Sequence, residues 1–269
     1  MTSQITQRPS VAGIFYSSDP SQLNLDVREF IASGRDAAGS PGSGCPKAII
    51  APHAGYAYSG AIAGSAYAAI AKCAARIERV VLLGPPHRLP VRGLASSSAA
   101  AFETPLGRVP VDQEAVERML TQHPEVSRLD AAFAGEHCIE VQLPFLQVLL
   151  NRFSLIPLLV GSAGASQVAA VLEPFWNRDD TLIVISSDLS HYLDYATARA
   201  LDQTTSEAIV TLRPERIAPE QACGRNAIAG LLYLAESQGA EGRMLDLRSS
   251  GDTAGPRDRV VGYGAYAFF

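Results

Sequence analysis

Three apolar runs in this chain end on polar residues in the same way, and that placement constrains the fold more than any other feature. Ile49-Ile50-Ala51 leads into Pro52-His53-Ala54-Gly55-Tyr56, Leu82-Leu83 into Gly84-Pro85-Pro86-His87, and Ile185-Ser186-Ser187-Asp188 continues to His191. Short apolar runs bounded by turn residues read as buried strands. In open α/β sheets, ligands bind outside the carboxyl ends of the strands. Polar groups delivered to several such ends therefore predict a site there.

The rest of the pattern fits this architecture. Residues 8–20 read as an ordered arm, with Asp19-Pro20 opening a helix over 22–32, and the Gly/Ser/Pro-rich stretch 34–46 reads as a loop. Strands at 47–51 and 80–83 flank a helix with Ser59 as its N-cap and Ile62, Ala66, Ile70 and Cys73 on one stripe. On that stripe Cys73 is a small core residue. Strand, helix and strand at this spacing imply a parallel, right-handed crossover. Thr104-Pro105-Leu106-Gly107 predicts a hairpin, and Asp112 can cap a helix that turns Val116, Met119 and Leu120 inward. His123, beyond that helix, reads as a loop residue. A helix opened by Glu136 to Glu140 should kink at Pro144. Further strands are expected at 155–160 and 182–185, with helices at 168–176, after His191 and after Cys223, and two closing strands at 243–247 and 260–269. The sum is a single α/β domain over 1–269: a mostly parallel central sheet flanked by helices, with antiparallel edge strands. Residues 8–46 pack on it as an arm, helix and loop.

Composition excludes several functional classes. Hydrophobic residues make up 47% of the 269 and charged residues 18%, as in an ordinary globular protein rather than a disordered one. A net charge of −5 gives no reason to expect nucleic acid or an anionic membrane as a partner. No apolar run approaches the roughly 20 residues of a spanning helix, and the N-terminus lacks an apolar leader, so the expected location is the cytoplasm. Cys45, Cys73, Cys138 and Cys223 form no CxxC, and in a reducing compartment they are expected as free thiols.

Chemistry is expected from the polar strand ends. His53, His87 and His191 share the same placement, and neutral imidazole is both the commonest metal ligand and a common general base. Cys223 precedes Gly224 at a helix start, where amide N–H groups favour thiolate. Beside two imidazoles it would suit iron, copper or zinc, and it reads equally as a small buried residue. Asp188 either orients His191 or caps the next helix. His137, next to Glu136, either faces the site or is the incidental neighbour of a capping carboxylate. The sequence has no GxGxxG, no Walker loop, no HExxH and no GxSxG.

The ordered set of Arg8-Pro9-Ser10-Val11-Ala12-Gly13-Ile14-Phe15-Tyr16, Pro52-His53-Ala54-Gly55-Tyr56, Gly84-Pro85-Pro86-His87, Glu136-His137-Cys138-Ile139-Glu140, Ser186-Ser187-Asp188-Leu189-Ser190-His191, Cys223-Gly224-Arg225 and Ser250-Gly251-Asp252-Thr253 resembles the Memo family. Its bacterial and archaeal members are described as AmmeMemoRadiSam system protein B. The resemblance implies a fold similar to LigB-type class III extradiol dioxygenases and a metal held by His53, His87 and Cys223. Asp188 and His191 correspond to neighbouring pocket residues. It also implies AMMECR-type and radical SAM proteins as partners. Ring-cleaving relatives use two histidines and a carboxylate on iron. Here a cysteine takes the third place.

Three functions follow as expectations. The first is Fe(II)-dependent oxygen or redox chemistry on a small molecule or peptide in the cleft, with His191 and Asp188 handling protons and Tyr56 and His137 contacting substrate. The second is a non-enzymatic metal-binding, redox-regulatory or adaptor protein that keeps the cleft as a ligand pocket. The third is zinc-dependent hydrolysis.

Overall fold

In a computed structural model that describes residues 5–37 and 44–269, the apolar runs form the strands expected of them. Residues 1–4, part of the stretch read for a leader, and 38–43, the middle of the expected loop, lie outside the described residues. In chain order the elements are β1 (Thr6–Gln7), α1 (Pro20–Ala37), β2 (Ala48–Ala51), α2 (Tyr56–Ile70), β3 (Arg79–Gly84), β4 (Leu94–Ser96), β5 (Ala101–Thr104) and β6 (Gly107–Pro110). There follow α3 (Gln113–Gln122), β7 (Val126–Arg128), α4 (Leu143–Leu149), β8 (Ser154–Val160), α5 (Ala165–Trp176), β9 (Thr181–Ser186) and β10 (His191–Leu193). The chain ends with α6 (Tyr195–Val210), α7 (Arg225–Ser237), β11 (Gly242–Ser249) and β12 (Val260–Phe268).

The main sheet runs β10-β12-β2-β9-β3-β8-β4-β7, with β11 also on β12. Its centre, β2-β9-β3-β8, is parallel throughout. Every residue of β2 and β9 is buried, as a strand covered on both faces requires. The antiparallel strands β12 and β4 flank this centre. Apart from it, β5 and β6 form the hairpin expected at Thr104–Gly107, and β1 joins β5. Helix α1 packs along α2, α5 lies against α7 and β9, and α6 covers β11 and β12. One cluster of buried apolar side chains runs from Val11 in the arm to Phe268 in β12, so the arm shares the core of the sheet. Among the described residues, no helix is long and apolar enough to cross a membrane.

Four local expectations are corrected, three of them by tertiary context. Gly34 belongs to α1, not to a loop, because α1 crosses α2 so closely that a Cβ on Gly34 would lie 2.6 Å from the Ser65 nitrogen. Helix α2 starts at Tyr56, before Ser59: the arm carbonyl of Phe15 accepts from the Tyr56 N–H at 2.7 Å, and the Ser59 hydroxyl instead donates to the Ala54 carbonyl. Pro144 opens α4 instead of kinking it, since a first-turn nitrogen has no intrahelical partner to lose. Asp112 caps α3 as expected, accepting from the Ala115 nitrogen at 3.0 Å.

The fourth correction concerns the thiols. Cys45 and Cys73 form a disulfide that ties the segment before β2 to the 3-10 turn after α2, which leaves Cys138 and Cys223 free. Spacing along the chain did not show this, because the two cysteines are 28 residues apart and meet only once α2 has packed. Alkylation of the denatured, unreduced protein should therefore modify two cysteines by intact mass, and four after reduction. Closing a loop of this length is worth about 3–4 kcal/mol. Cys73→Ala should lower the thermal midpoint accordingly, and an unchanged midpoint would show that the bond does not hold the fold.

Candidate metal centre

Strand β9 lies between β2 and β3, with Ser186 level with Ala51 and Ile185 level with Leu83. The three carboxyl ends are therefore neighbours, and the chain leaves each within three residues of a polar group: His53 after β2, His87 after β3 and Asp188 after β9. Cys223 comes from the other direction, immediately before α7. Its backbone nitrogen donates to the Asp188 carbonyl at 3.3 Å, and the Gly224 nitrogen donates to Ser187 Oγ at 2.9 Å. Gly224 is required at this approach, since a Cβ there would lie 2.7 Å from that of Ser187. The result brings one donor atom each from His53, His87 and Cys223 within 4.8 Å of one another.

Both rings are held by one nitrogen. His53 Nδ1 is 2.8 Å from Ser186 Oγ, and its Nε2 is 3.3 Å from Cys223 Sγ. His87 Nδ1 donates to Glu136 Oε1 at 2.9 Å, and its backbone N–H donates to the other oxygen of the same carboxylate. A carboxylate behind the ring that leaves the far nitrogen free is the usual support of a metal-binding histidine. A second donor group, His87, Glu136 and His137, lies alongside. Its carboxylate is already engaged by His87 and by the backbone nitrogens of His137 and Cys138, which makes it a support rather than a ligand. Two imidazoles and a thiol suit a first-row transition metal and not the hard, oxygen-seeking calcium or magnesium.

Burial sets the charge states. Desolvation, aided by the neighbouring imidazoles His87 and His137, holds His53 well below the usual histidine range, so its ring is neutral. Desolvation lowers His137 and His191 as well. Burial would raise Glu136, but hydrogen bonds from the His87 ring and from backbone nitrogens bring it down to about 2. Burial pushes Asp188 up to about 7, against the pull of backbone N–H donors from His53 and Ala54. Cys223 is pushed up to about 12 by burial and by Asp188, which reverses the thiolate expected at a helix start. For the sulfur to act as a ligand, a cation would have to supply the charge that removes this proton.

Over the two histidines opens a cleft of about 680 Å³, lined in part by His137, Asp188, His191, Phe15, Tyr58 and Arg259. His137 faces it, stacked on His87 at 4.8 Å, while Glu136 beside it accepts from the following backbone nitrogens, so both readings find a counterpart. Tyr56 does not line it: its ring is buried and its hydroxyl donates to the Val141 carbonyl at 2.7 Å, while Tyr58 faces the cleft. Neither reading of Asp188 holds. Its Oδ1 accepts from the His53 nitrogen at 2.8 Å, Asp194 caps α6, and the His191 ring meets the Leu189 carbonyl. His123 follows α3, 3.7 Å from Glu125, and is not among the residues that line the cleft.

One wall comes from the arm. Gly13, at φ +79°, turns the chain so that Ile14 and Phe15 reach the cleft, Phe15 lying 5.0 Å from the His137 ring. Glu140 clasps this turn, accepting from Ser10 N and Oγ, Val11 N and Tyr16 Oη. The roles of Glu136, Glu140 and Ser186 were not evident from the sequence, although all three stand in the motifs Glu136-His137-Cys138-Ile139-Glu140 and Ser186-Ser187-Asp188.

A sequence model of the family described as Memo-like protein matches residues 7–267. The chain belongs to the Memo-like family. Among its relatives, a MEMO1 family protein of Archaeoglobus fulgidus is 33% identical over 97% of this chain and 99% of its own length. One from Thermotoga neapolitana is 35% identical, covering 96% and 97%. An uncharacterized protein from Escherichia coli K12 shares the fold at a TM-score of 0.52 and 12% identity, over 80% of this chain and 98% of its own. The expected α/β architecture thus stands for this Memo-like chain.

The depressed value of Glu136 sets a pH dependence. Its folded value of about 2 lies below the ordinary 4.5, so the stabilisation is complete above that ordinary value and is lost as pH falls from it toward about 2. A shift of this size corresponds to about 3 kcal/mol at neutral pH. Urea unfolding of Glu136→Gln should start from lower stability at pH 7 and fall less than wild type between pH 5 and pH 3. Parallel pH curves for the two proteins would show that the carboxylate is not held ionised as described.

Proposed function

We propose that this Memo-like protein binds Fe(II) through His53, His87 and Cys223 and performs oxygen-dependent or redox chemistry on a small molecule or short peptide held in the cleft. The observation that carries this reading is the approach of the three donor atoms to within 4.8 Å, with His53 and His87 lining that cleft and each imidazole anchored through its other nitrogen. Ferrous ion bound there would supply redox activity and open coordination positions for substrate and oxygen. The chain supplies the rest. His137 and His191, neutral in the cleft, can take a proton from a bound substrate. Asp188, at about 7, can exchange one near neutrality. Phe15 and Tyr58 contribute aromatic wall that excludes water from the base. Partnership with AMMECR-type and radical SAM proteins belongs to the same proposal and rests on the family resemblance alone.

One observation favours a second reading. The third donor is a thiol, which is oxidisable once ionised and equally suited to copper or zinc. A protein that retains its metal without turning over substrate would use the same three residues, as would a zinc hydrolase.

Purification without oxygen followed by metal analysis separates these readings. Stoichiometric iron that binds nitric oxide, with the characteristic electron paramagnetic resonance signal, is the expected result. Cys223→Ser and His53→Ala should lose most of the metal. Tight zinc without iron would move the assignment to the zinc reading. Equal metal in wild type and His53→Ala would remove the centre itself.

A further inference from the structure

The proton positions around His53 can be counted, and the count leads beyond the donor set. Ser186 Oγ lies 2.6 Å from the Cys138 carbonyl oxygen. A carbonyl only accepts, so the single hydroxyl proton of Ser186 is committed there. Gln142 Nε2 lies 2.8 Å from the same Oγ and 2.9 Å from the Pro52 carbonyl oxygen. Turning this amide over would set its oxygen against that carbonyl, whereas as placed its Oε1 accepts from the Tyr67 hydroxyl at 2.9 Å. Both amide protons of Gln142 are thereby used, and one of them occupies a lone pair of Ser186 Oγ.

One lone pair remains on Ser186, and the group facing it at 2.8 Å is His53 Nδ1. A donor is needed there, so Nδ1 carries the proton. Tyr67, Gln142 and Ser186 are fully buried and His53 is 1% exposed, so exchange with bulk water offers no competing partner. We infer that Ser186, itself fixed by Gln142 and Tyr67, is a positioning residue that holds His53 as the Nδ1–H tautomer and so leaves the Nε2 lone pair directed at Cys223.

The partner type matters as well as the proton. His87, which is partly exposed, is backed by the carboxylate of Glu136, whereas His53, fully enclosed, is backed by a neutral hydroxyl. A carboxylate in place of Ser186 would put a second buried negative charge close to Asp188 and the Cys223 sulfur, at a large desolvation cost. The neutral relay fixes the ring without that cost. As a determinant of metal binding, this role rests on the proposed centre, whereas the tautomer assignment does not.

Long-range 1H–15N correlation spectra of metal-free, 15N-histidine-labelled protein report which ring nitrogen is protonated, with the His53 signals identified by their loss in His53→Gln. Wild type should show His53 protonated at Nδ1, and protonation at Nε2 would overturn the inference. In Ser186→Ala the single-tautomer pattern should be lost and the affinity for Zn2+ or Fe2+ should fall by about 10–100-fold. Ser186→Thr keeps the hydroxyl and should recover both. If Ser186→Ala does not fold, the wild-type spectrum and the threonine variant still decide. An Nδ1–H ring in a wild-type protein that binds neither metal would sink the proposed centre while leaving the tautomer relay standing. Unchanged affinity in folded Ser186→Ala would show that the relay does not position the ligand.

Discussion

Four polar groups are buried along seven residues, Glu136 to Gln142, and the rest of the structure is arranged to satisfy them. Glu136 takes the backbone and ring of His87, the Cys138 carbonyl takes Ser186, Glu140 takes the arm, and Gln142 takes Ser186, Pro52 and Tyr67. A buried carboxylate left unpaired costs several kcal/mol, more than a large share of the stability of an ordinary domain. These groups can therefore be buried only if the ends of β2, β3 and β9 and the N-terminal arm are all in place. The same contacts that make the burial tolerable aim both histidines at one point, so that folding and preparation of the site are one event.

The consequence is a centre that is rigid on one side and lightly held on the other. His53 and His87 are fixed through ring and backbone at the sheet ends, and their distant nitrogens face a common space. The third donor stands on a different element. Cys223 is positioned by backbone-level bonds between the start of α7 and the end of β9, and its sulfur meets the Ser187 hydroxyl only at 3.8 Å, a longer contact than those by which Ser186 and Glu136 hold the rings. The Asp188 backbone N–H donates to that sulfur at 3.3 Å, which partly offsets the burial that keeps the thiol protonated.

Much of this was legible in the sequence because period and punctuation are local properties. Apolar runs closed by Pro52, by Gly84-Pro85 and by Ser186-Ser187 marked β2, β3 and β9, and within three residues of their ends stood His53, His87 and Asp188. Cys223 was open to two readings from spacing, and the family resemblance singled it out. What stayed illegible was everything decided by distant partners. Ser186 and Gln142 are 44 residues apart, Glu136 and His87 49, and Glu140 and Ser10 130, and no local pattern announces such pairs. Tyr56 and Tyr58 are equally plausible lining residues until the start of α2 is fixed by the Phe15 carbonyl, which turns the first inward and leaves the second facing the cleft. Ser59 and Gly34 misled for the same reason: each has a strong local preference, and in each case a contact from elsewhere decided.

The division between two deeply anchored histidines and one donor on a helix start bears on how chemistry can vary on this fold. Replacing a histidine, or the group behind it, disturbs the buried network and with it the sheet ends. Replacing the residue at position 223 changes contacts at a helix start, with Ser187, the Asp188 backbone and the His53 ring, but leaves the groups behind the two histidines in place. Metal preference and reactivity are therefore adjustable at the third donor at small structural cost, while the geometry that collects the donors stays fixed. A thiol there, where a carboxylate could stand, alters the charge and softness of the centre without altering its framework. The sheet determines where a metal would sit, and Cys223 determines what that metal would be able to do.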